Sequence, residues 1–291
     1  MPSHILNDTH IGSLSIFLQS SKATTTLDPE KNSSCLFYLN QVITAPPGTH
    51  MLVGLTSAEI PYSFYNVDSR NNKVTIDAGS DGTATIILPE QNYDVDSLKK
   101  NLNNLLVAAN VLNTTVDFDK NTNKFTFTNT NGGLKITSTT MTRELGLVPN
   151  QINGPYTASL TSSNACNLSG TSSVYVNLNN VSITNLDSRG DLNGVLAKLN
   201  VNVAPSEFIF YQQTENQYYV TSDRQINFFS ISLTVDNNEL LNLNGVDFSV
   251  SITIHFQKVR LPVDPIDFLV DTRNANLEKQ EKEKSKNKKN M

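Results

Sequence analysis

Histidine and cysteine, the side chains most often used for proton transfer at neutral pH, zinc binding and thiol attack, are few in this chain and far apart. Its 291 residues include four histidines, two cysteines and no tryptophan. His4, His10, His50 and His255 belong to no cysteine–histidine cluster of the kind zinc requires. Nucleophilic catalysis needs a Ser or Cys within hydrogen-bond reach of a base. Neither a Gly-x-Ser-x-Gly elbow nor a Cys–His signature is present. A glycine-rich phosphate cradle is also missing. Asp94 and Asp96 suit helix capping. The stretch Asp117 to Asn123 imitates the start of a calcium loop, but Thr122 and Thr128 stand where an EF-hand needs Gly and Glu. Glycoside cleavage on a β scaffold would need two strand carboxylates facing one groove. The clearest strands offer Ser, Thr and apolar residues instead. The expectation is therefore no catalytic, cofactor-binding or metal site, and no cofactor.

Binding motifs have competing readings. Arg189-Gly190-Asp191 is an adhesion tripeptide, and its Gly190 equally suits a turn. Phe208, Phe210, Tyr211, Tyr218 and Tyr219 suit a sandwich core or a subunit interface, with a sugar platform as the alternative. The lysines from Lys279 to Lys289 alternate with Glu281 and Glu283, which favours a solvated tail over a nucleic-acid contact.

The elements that would position these groups are strands. Phe229, Ile231, Leu233 and Val235 alternate with Ser230, Ser232 and Thr234; Phe248, Val250, Ile252, Ile254 and Phe256 alternate with Ser249, Ser251, Thr253 and His255. Period-two alternation predicts two strands, each with one buried and one wet face. Further strands are predicted over 12–20, 34–44, 50–60, 174–178, 181–184, 196–203 and 208–212, with 218–220 leading to the closing pair. The character changes near Lys73. Short strands over 74–76 and 83–88 precede the chain's one strong helical stripe, Leu98, Leu102, Leu105, Leu106 and Ala109. Strands over 116–118, 125–128 and 134–137 follow. A helical turn over 140–145 is then stopped by Gly146.

The expected architecture is mainly β: a single antiparallel jelly-roll sandwich (10–72 and 165–260) interrupted by a small α+β insertion (73–164). Residues 150–164 are read as a linker, and 261–291 as an extended, disordered tail. Apolar residues make up 38% and charged residues 17%, while Asn, Ser and Thr abound, which suits many strands and turns. The net charge is −5, and the tail from Leu277 carries six lysines and three glutamates, so the body is more acidic than the whole. An acidic body argues against a nucleic-acid groove, the Lys-rich tail excepted. No secretion signal is read at Met1–His10 and no 18-residue apolar run is present, so no membrane span is expected. Cys35 reads as a small buried residue, with a Cys35–Cys166 disulfide left open.

Several stretches carry a family resemblance. They are Leu240 to Ile254, Ile16 to Ser20, Ile60-Pro61-Tyr62-Ser63-Phe64-Tyr65-Asn66-Val67, Leu88 to Leu98, and Glu144-Leu145-Gly146-Leu147. Together the sequence resembles the penton (minor capsid) proteins of virophages and Polinton-like viruses over most of residues 10–258. That resemblance implies a jelly roll in a homopentamer at the five-fold vertices of a virion, assembled in the host cytoplasm. It also implies major capsid protein as the neighbour, an outward-facing insertion and no catalytic residues. The alternative is a carbohydrate-binding sandwich or spike for host attachment; a jelly-roll glycoside hydrolase is a third reading.

Overall fold

The computed structural model describes residues 10–183, 185–186, 192–214 and 217–258. The adhesion tripeptide, His4 and the tail lie outside them. In chain order the elements are β1 (His10–Gln19), β2 (Ser34–Thr44), β3 (Thr49–Pro61), β4 (Lys73–Asp77) and β5 (Thr83–Ile87). Helix α1 (Val95–Ala108), β6 (Thr114–Asp119), β7 (Lys124–Asn129), β8 (Lys135–Thr139), α2 (Thr142–Leu145) and β9 (Ser159–Thr161) follow. The chain then forms β10 (Ser173–Leu178), β11 (Val195–Asn200), β12 (Phe208–Gln212), β13 (Tyr219–Thr221), β14 (Gln225–Thr234) and β15 (Ser249–Lys258).

Two antiparallel sheets face each other. Sheet I has the order β1-β15-β3-β12, with β13 pairing further along β3; sheet II has the order β11-β10-β14-β2, with Thr25–Thr26 beyond β2. With β12 and β13 counted as one interrupted strand, eight strands result, ordered 1-8-3-6 and 5-4-7-2. That is a jelly roll, a double Greek key that alternates between layers. The two best-patterned strands, β14 and β15, therefore do not pair. They sit in opposite sheets and meet across the core through residues such as Phe229, Ile231, Ile252 and Ile254. On β3 the inward residues Met51, Val53 and Leu55 give way to Ala58 and Ile60. A bulge opposite Ser251/Ile252 absorbs the change of phase, and Thr56 meets the Thr253 hydroxyl at 2.7 Å.

Between the third and fourth sandwich strands the chain forms a second body. Sheets β5-β4-β8 and β9-β7-β6 enclose a core of their own around Ile76, Leu98, Leu102, Phe125, Phe127 and Ile136. Asp94 caps α1 in a reciprocal capping box: Ser97 N–H donates to Asp94 Oδ1 (2.7 Å), and Asp94 N–H donates to Ser97 Oγ (3.0 Å). The buried stripe of α1 is Leu98, Leu102 and Leu106; Leu105 is partly covered and Ala109 is exposed at the C-cap. Gly146 ends α2 in the left-handed region at φ 69°, and a Cβ there would collide with the Asn164 carbonyl.

Three expectations fail on local detail. Residues 150–164 are not a bare linker, because Ser159–Thr161 adds to β7 as β9. Val181–Ile183 is not a strand, and Thr184 is outside the described residues. There Asn180 replaces backbone pairing: its Nδ2 donates to Phe228 O and its Oδ1 accepts from Ser230 N–H, both at 2.7 Å. Finally, Ser230, Ser232 and Thr234 are buried rather than wet. The Asn179 amide donates to the Ser232 hydroxyl (3.0 Å) and the Asn177 amide donates to that of Thr234 (2.8 Å).

Candidate interaction surfaces and the junction cleft

The outer face of sheet I gathers groups that the sequence scatters. His10 and His255 are 245 residues apart, yet His10 Nε2 lies 3.0 Å from His255 Nδ1. The pairing of β1 with β15 brings them together. Burial, and then the neighbouring His10, hold the His255 imidazole below its usual value. Tyr218 stands edge-on to His255, with ring centroids 4.3 Å apart, and rests on Gly54 of β3. His50 lies beside Gln257 at 3.2 Å. Among the described residues, no three His, Cys, Asp or Glu side chains are grouped to hold a metal ion. Cys35 and Cys166 are both free thiols, and Cys35 is buried. The calcium-loop imitation is a β6–β7 turn in which Asp119 accepts from Asn121 N–H (2.9 Å) and the Thr122 hydroxyl (2.8 Å).

The five aromatic residues singled out by sequence do not form one platform. Tyr211 and Tyr219 pack onto the sandwich core. Tyr218 is committed to Gly54 and His255. Only Phe208 and Phe210 point outward together, 43% and 73% exposed, with ring centroids 6.1 Å apart. They lie on β12, at one edge of sheet I. At the other edge, on β1, Phe17 is 80% exposed. Sequence alternation found these strands but gave no indication that the outward positions of both edges are aromatic.

A polar cleft of about 210 Å³ lies where the two bodies meet, lined in part by Asn66, Arg70, Arg143, Glu144, Gly170 and Glu239. In and beside it carboxylates come together, which the strand patterns did not show; Asp68 and Glu239 come from loops and Glu144 from α2 rather than from facing strands. Asp68 is buried and is chelated by Arg70, with Nη2 2.6 Å from Oδ2. Glu144 is 3% exposed and accepts from the Asn71 amide at 2.7 Å. Burial pushes its carboxyl up. Arg70 also reaches Glu239, on the sandwich side, at 3.9 Å. Arg143 donates to Gly170 O at 2.7 Å and lies 3.6 Å from Glu144. Asp68, Glu144 and Glu239 are thus each tied to an arginine or an amide, and Asp236, which also lines the cleft, accepts from the Tyr175 hydroxyl at 2.9 Å. The arrangement cross-braces two stems rather than presenting an unpaired acid and base. Its members are up to 171 residues apart (Asp68 to Glu239), and no local motif marks them.

No family model matches the chain, and no curated protein matches it. Among solved structures it is similar to the mavirus penton protein, known from a crystal structure of the selenomethionine-labelled protein. The TM-score is 0.43 and the identity 14%, over 86% of this chain and 100% of that one.

Proposed function

We propose that this chain is an architectural, non-catalytic subunit of an icosahedral virus capsid. In this reading it is a penton that assembles as a homopentamer, docks onto major capsid protein and resides in the virion after assembly in the host cytoplasm. Its two bodies serve separate ends, the jelly roll as the wall element and the insertion as the outward cap. The observation that carries the reading is the placement of Phe17 and of Phe208/Phe210 on opposite edges of sheet I. A cyclic ring needs two different patches on opposite sides of each subunit, because its contact is head-to-tail. Large exposed aromatics are what such a contact desolvates. The resemblance of the segments around Ile60–Val67 and Leu240–Ile254 to penton proteins supports the same reading.

Sedimentation velocity and electron microscopy of the purified protein test it. A five-membered ring is expected, and Phe17→Asp with Phe210→Asp should return it to monomers with the fold intact. A wild-type chain that stays monomeric at high concentration and never enters particles overturns it. Selective binding on a glycan array lost with Phe208→Ala and Phe210→Ala would point instead to host attachment through a sugar.

A further inference from the structure

The meeting of His10 with His255 is the product of an irregularity in β1. Along β15, Ile254 and Phe256 face the core, so His255 and Gln257 both face outward from sheet I. Their partners on β1 are Ser13 and His10. These two are three residues apart, which in a regular strand would put them on opposite faces. A bulge between His10 and Gly12 supplies one extra residue and returns His10 to the outer face. Re-aiming a side chain is a known use of bulges. Here the result is His10 Nε2 at 3.0 Å from His255 Nδ1. Tyr218, edge-on to His255 and seated on Gly54, fixes the second ring in place.

That separation serves a hydrogen bond, and it serves a metal ion equally well. Two nitrogens about 2.05 Å from one metal lie about 2.9 Å apart at a right angle and about 3.3 Å apart in a tetrahedron. The observed distance is close to the right-angled bite. Cu2+ and Ni2+ favour that geometry and accept imidazole, whereas Zn2+ favours the tetrahedron. A neutral imidazole carries one N–H. In the hydrogen-bonded form one of the two facing nitrogens holds it. Moving that proton to the far nitrogen of the same ring leaves both facing nitrogens with lone pairs for a metal. His50 stands in the same row on β3 but is engaged by Gln257 at 3.2 Å. Among the described residues no third His, Cys, Asp or Glu completes the set, so the other positions fall to water.

We propose that His10 Nε2 and His255 Nδ1 form a two-imidazole site for one divalent ion of the Cu2+/Ni2+ class, which clips the start of β1 to β15. Among the described residues β15 is the sole partner strand of β1. Ile11 and Leu14 are 48% and 41% exposed, so this end of the strand has little apolar cover. A bond through the metal holds it where packing is thin. The clip lies within one molecule, and it stands or falls independently of the capsid reading.

Calorimetric titration of the complete, untagged chain with Ni2+, Cu2+ and Mg2+ tests the proposal. One equivalent of Ni2+ is expected. Cu2+ should bind more tightly, and Mg2+, which prefers oxygen ligands, should not bind. His10→Gln and His255→Gln should each weaken Ni2+ binding about ten-fold or more, while His50→Gln should leave it unchanged. Hydrogen exchange reads the clip itself. With free Ni2+ at about ten times its dissociation constant, amides of residues 11–16 should exchange about ten-fold more slowly in the wild type. They should gain no such protection in His10→Gln. Without metal, amides of residues 229–234 in β14 should exchange alike in all four proteins, which shows an intact sandwich. A wild-type chain that takes up no Ni2+ overturns the proposal. Binding that survives both His10→Gln and His255→Gln, or that leaves residues 11–16 unprotected, marks an adventitious ion only and overturns it as well.

Discussion

Gly54 shows how one absent methyl group shapes a surface. It faces outward on β3, and a Cβ placed there would lie 2.5 Å from Tyr218 Cδ1 and 2.6 Å from Gln217 O. The Tyr218 ring lies where that methyl would be and shields His255. Gly54→Ala must therefore lift both the ring and the backbone at Gln217. A loss of about 1–3 kcal/mol is expected, as for other overpacked sites, and calorimetry measures it. Freed of its cover, the His255 imidazole should titrate closer to its ordinary value, which NMR of the ring protons reads. An unchanged melting temperature with an unchanged titration would show that Tyr218 does not depend on Gly54. The wild-type pH profile has a definite sign. The folded state holds His255 below its unfolded value of about 6.5, so the unfolded chain binds protons first as pH falls. The contribution is present above that value and lost below it. His255→Gln should flatten the stability profile between pH 7 and 5 in denaturant titrations, and a profile as steep as wild type would refute this role.

At the scale of elements, legibility follows locality. Helix α1 is readable because everything that makes it lies within 15 residues: Asp94 caps it, and Leu98, Leu102 and Leu106 form its buried stripe. Asp94→Ala is expected to cost about 1 kcal/mol and Leu102→Ala about 2–5 kcal/mol, both measured by chemical unfolding. Strand β3 was legible as a strand over 50–60, but its bulge, where the step from Leu55 to Ala58 extrudes Thr56, was not read from the sequence. What was not legible depends on partners remote in sequence. The outward face of β14 carries Ser230, Ser232 and Thr234, a wet pattern by residue type, yet Asn177, Asn179 and Asn180 cover it. The same asparagines explain why residues 181–183 are not a strand: the Asn180 amide already fills the place of a neighbouring peptide. Asn180→Ala should strand the Ser230 N–H and the Phe228 carbonyl, at about 1–3 kcal/mol. A value within a few tenths of wild type would mean that water replaces the amide. Short β9 was missed because three residues, Ser159–Thr161, are too few for periodicity to register.

At the scale of the whole molecule, two apolar cores share no residue and are joined through polar groups. The sandwich core includes Tyr62 and Phe64 on one stem and resumes at Val174; the insertion core begins at Val67 and draws in Leu168. Both stems pass the same point, because a Cβ on Gly170 would lie 3.0 Å from that of Asn66. The Asn66 amide bridges Tyr93 O (2.8 Å) and Leu168 O (2.9 Å) across it. The two clusters change over between Phe64 and Val67 on one stem and between Leu168 and Val174 on the other, and we propose cutting the bodies there. Removing residues 67–169 and joining Asn66 to Gly170 directly should leave a sandwich that unfolds in one cooperative transition, since its core residues are all retained. The excised segment should fold as well, because its cap, helix and two sheets are all internal. Calorimetry of the two pieces and the whole decides the matter. In the whole chain, the Glu144 carboxyl is held above its ordinary value by burial, so its protonated form favours the folded state. That contribution is full below the unfolded value of about 4.5 and lost as pH rises through the folded one. Glu144→Gln keeps an acceptor for Asn71 and should remove that slope from the intact protein. In the isolated sandwich, which lacks residue 144, the slope should already be gone. A sandwich that fails to fold alone would show that the two bodies form a single cooperative unit, and a slope retained without residue 144 would show that another group carries it.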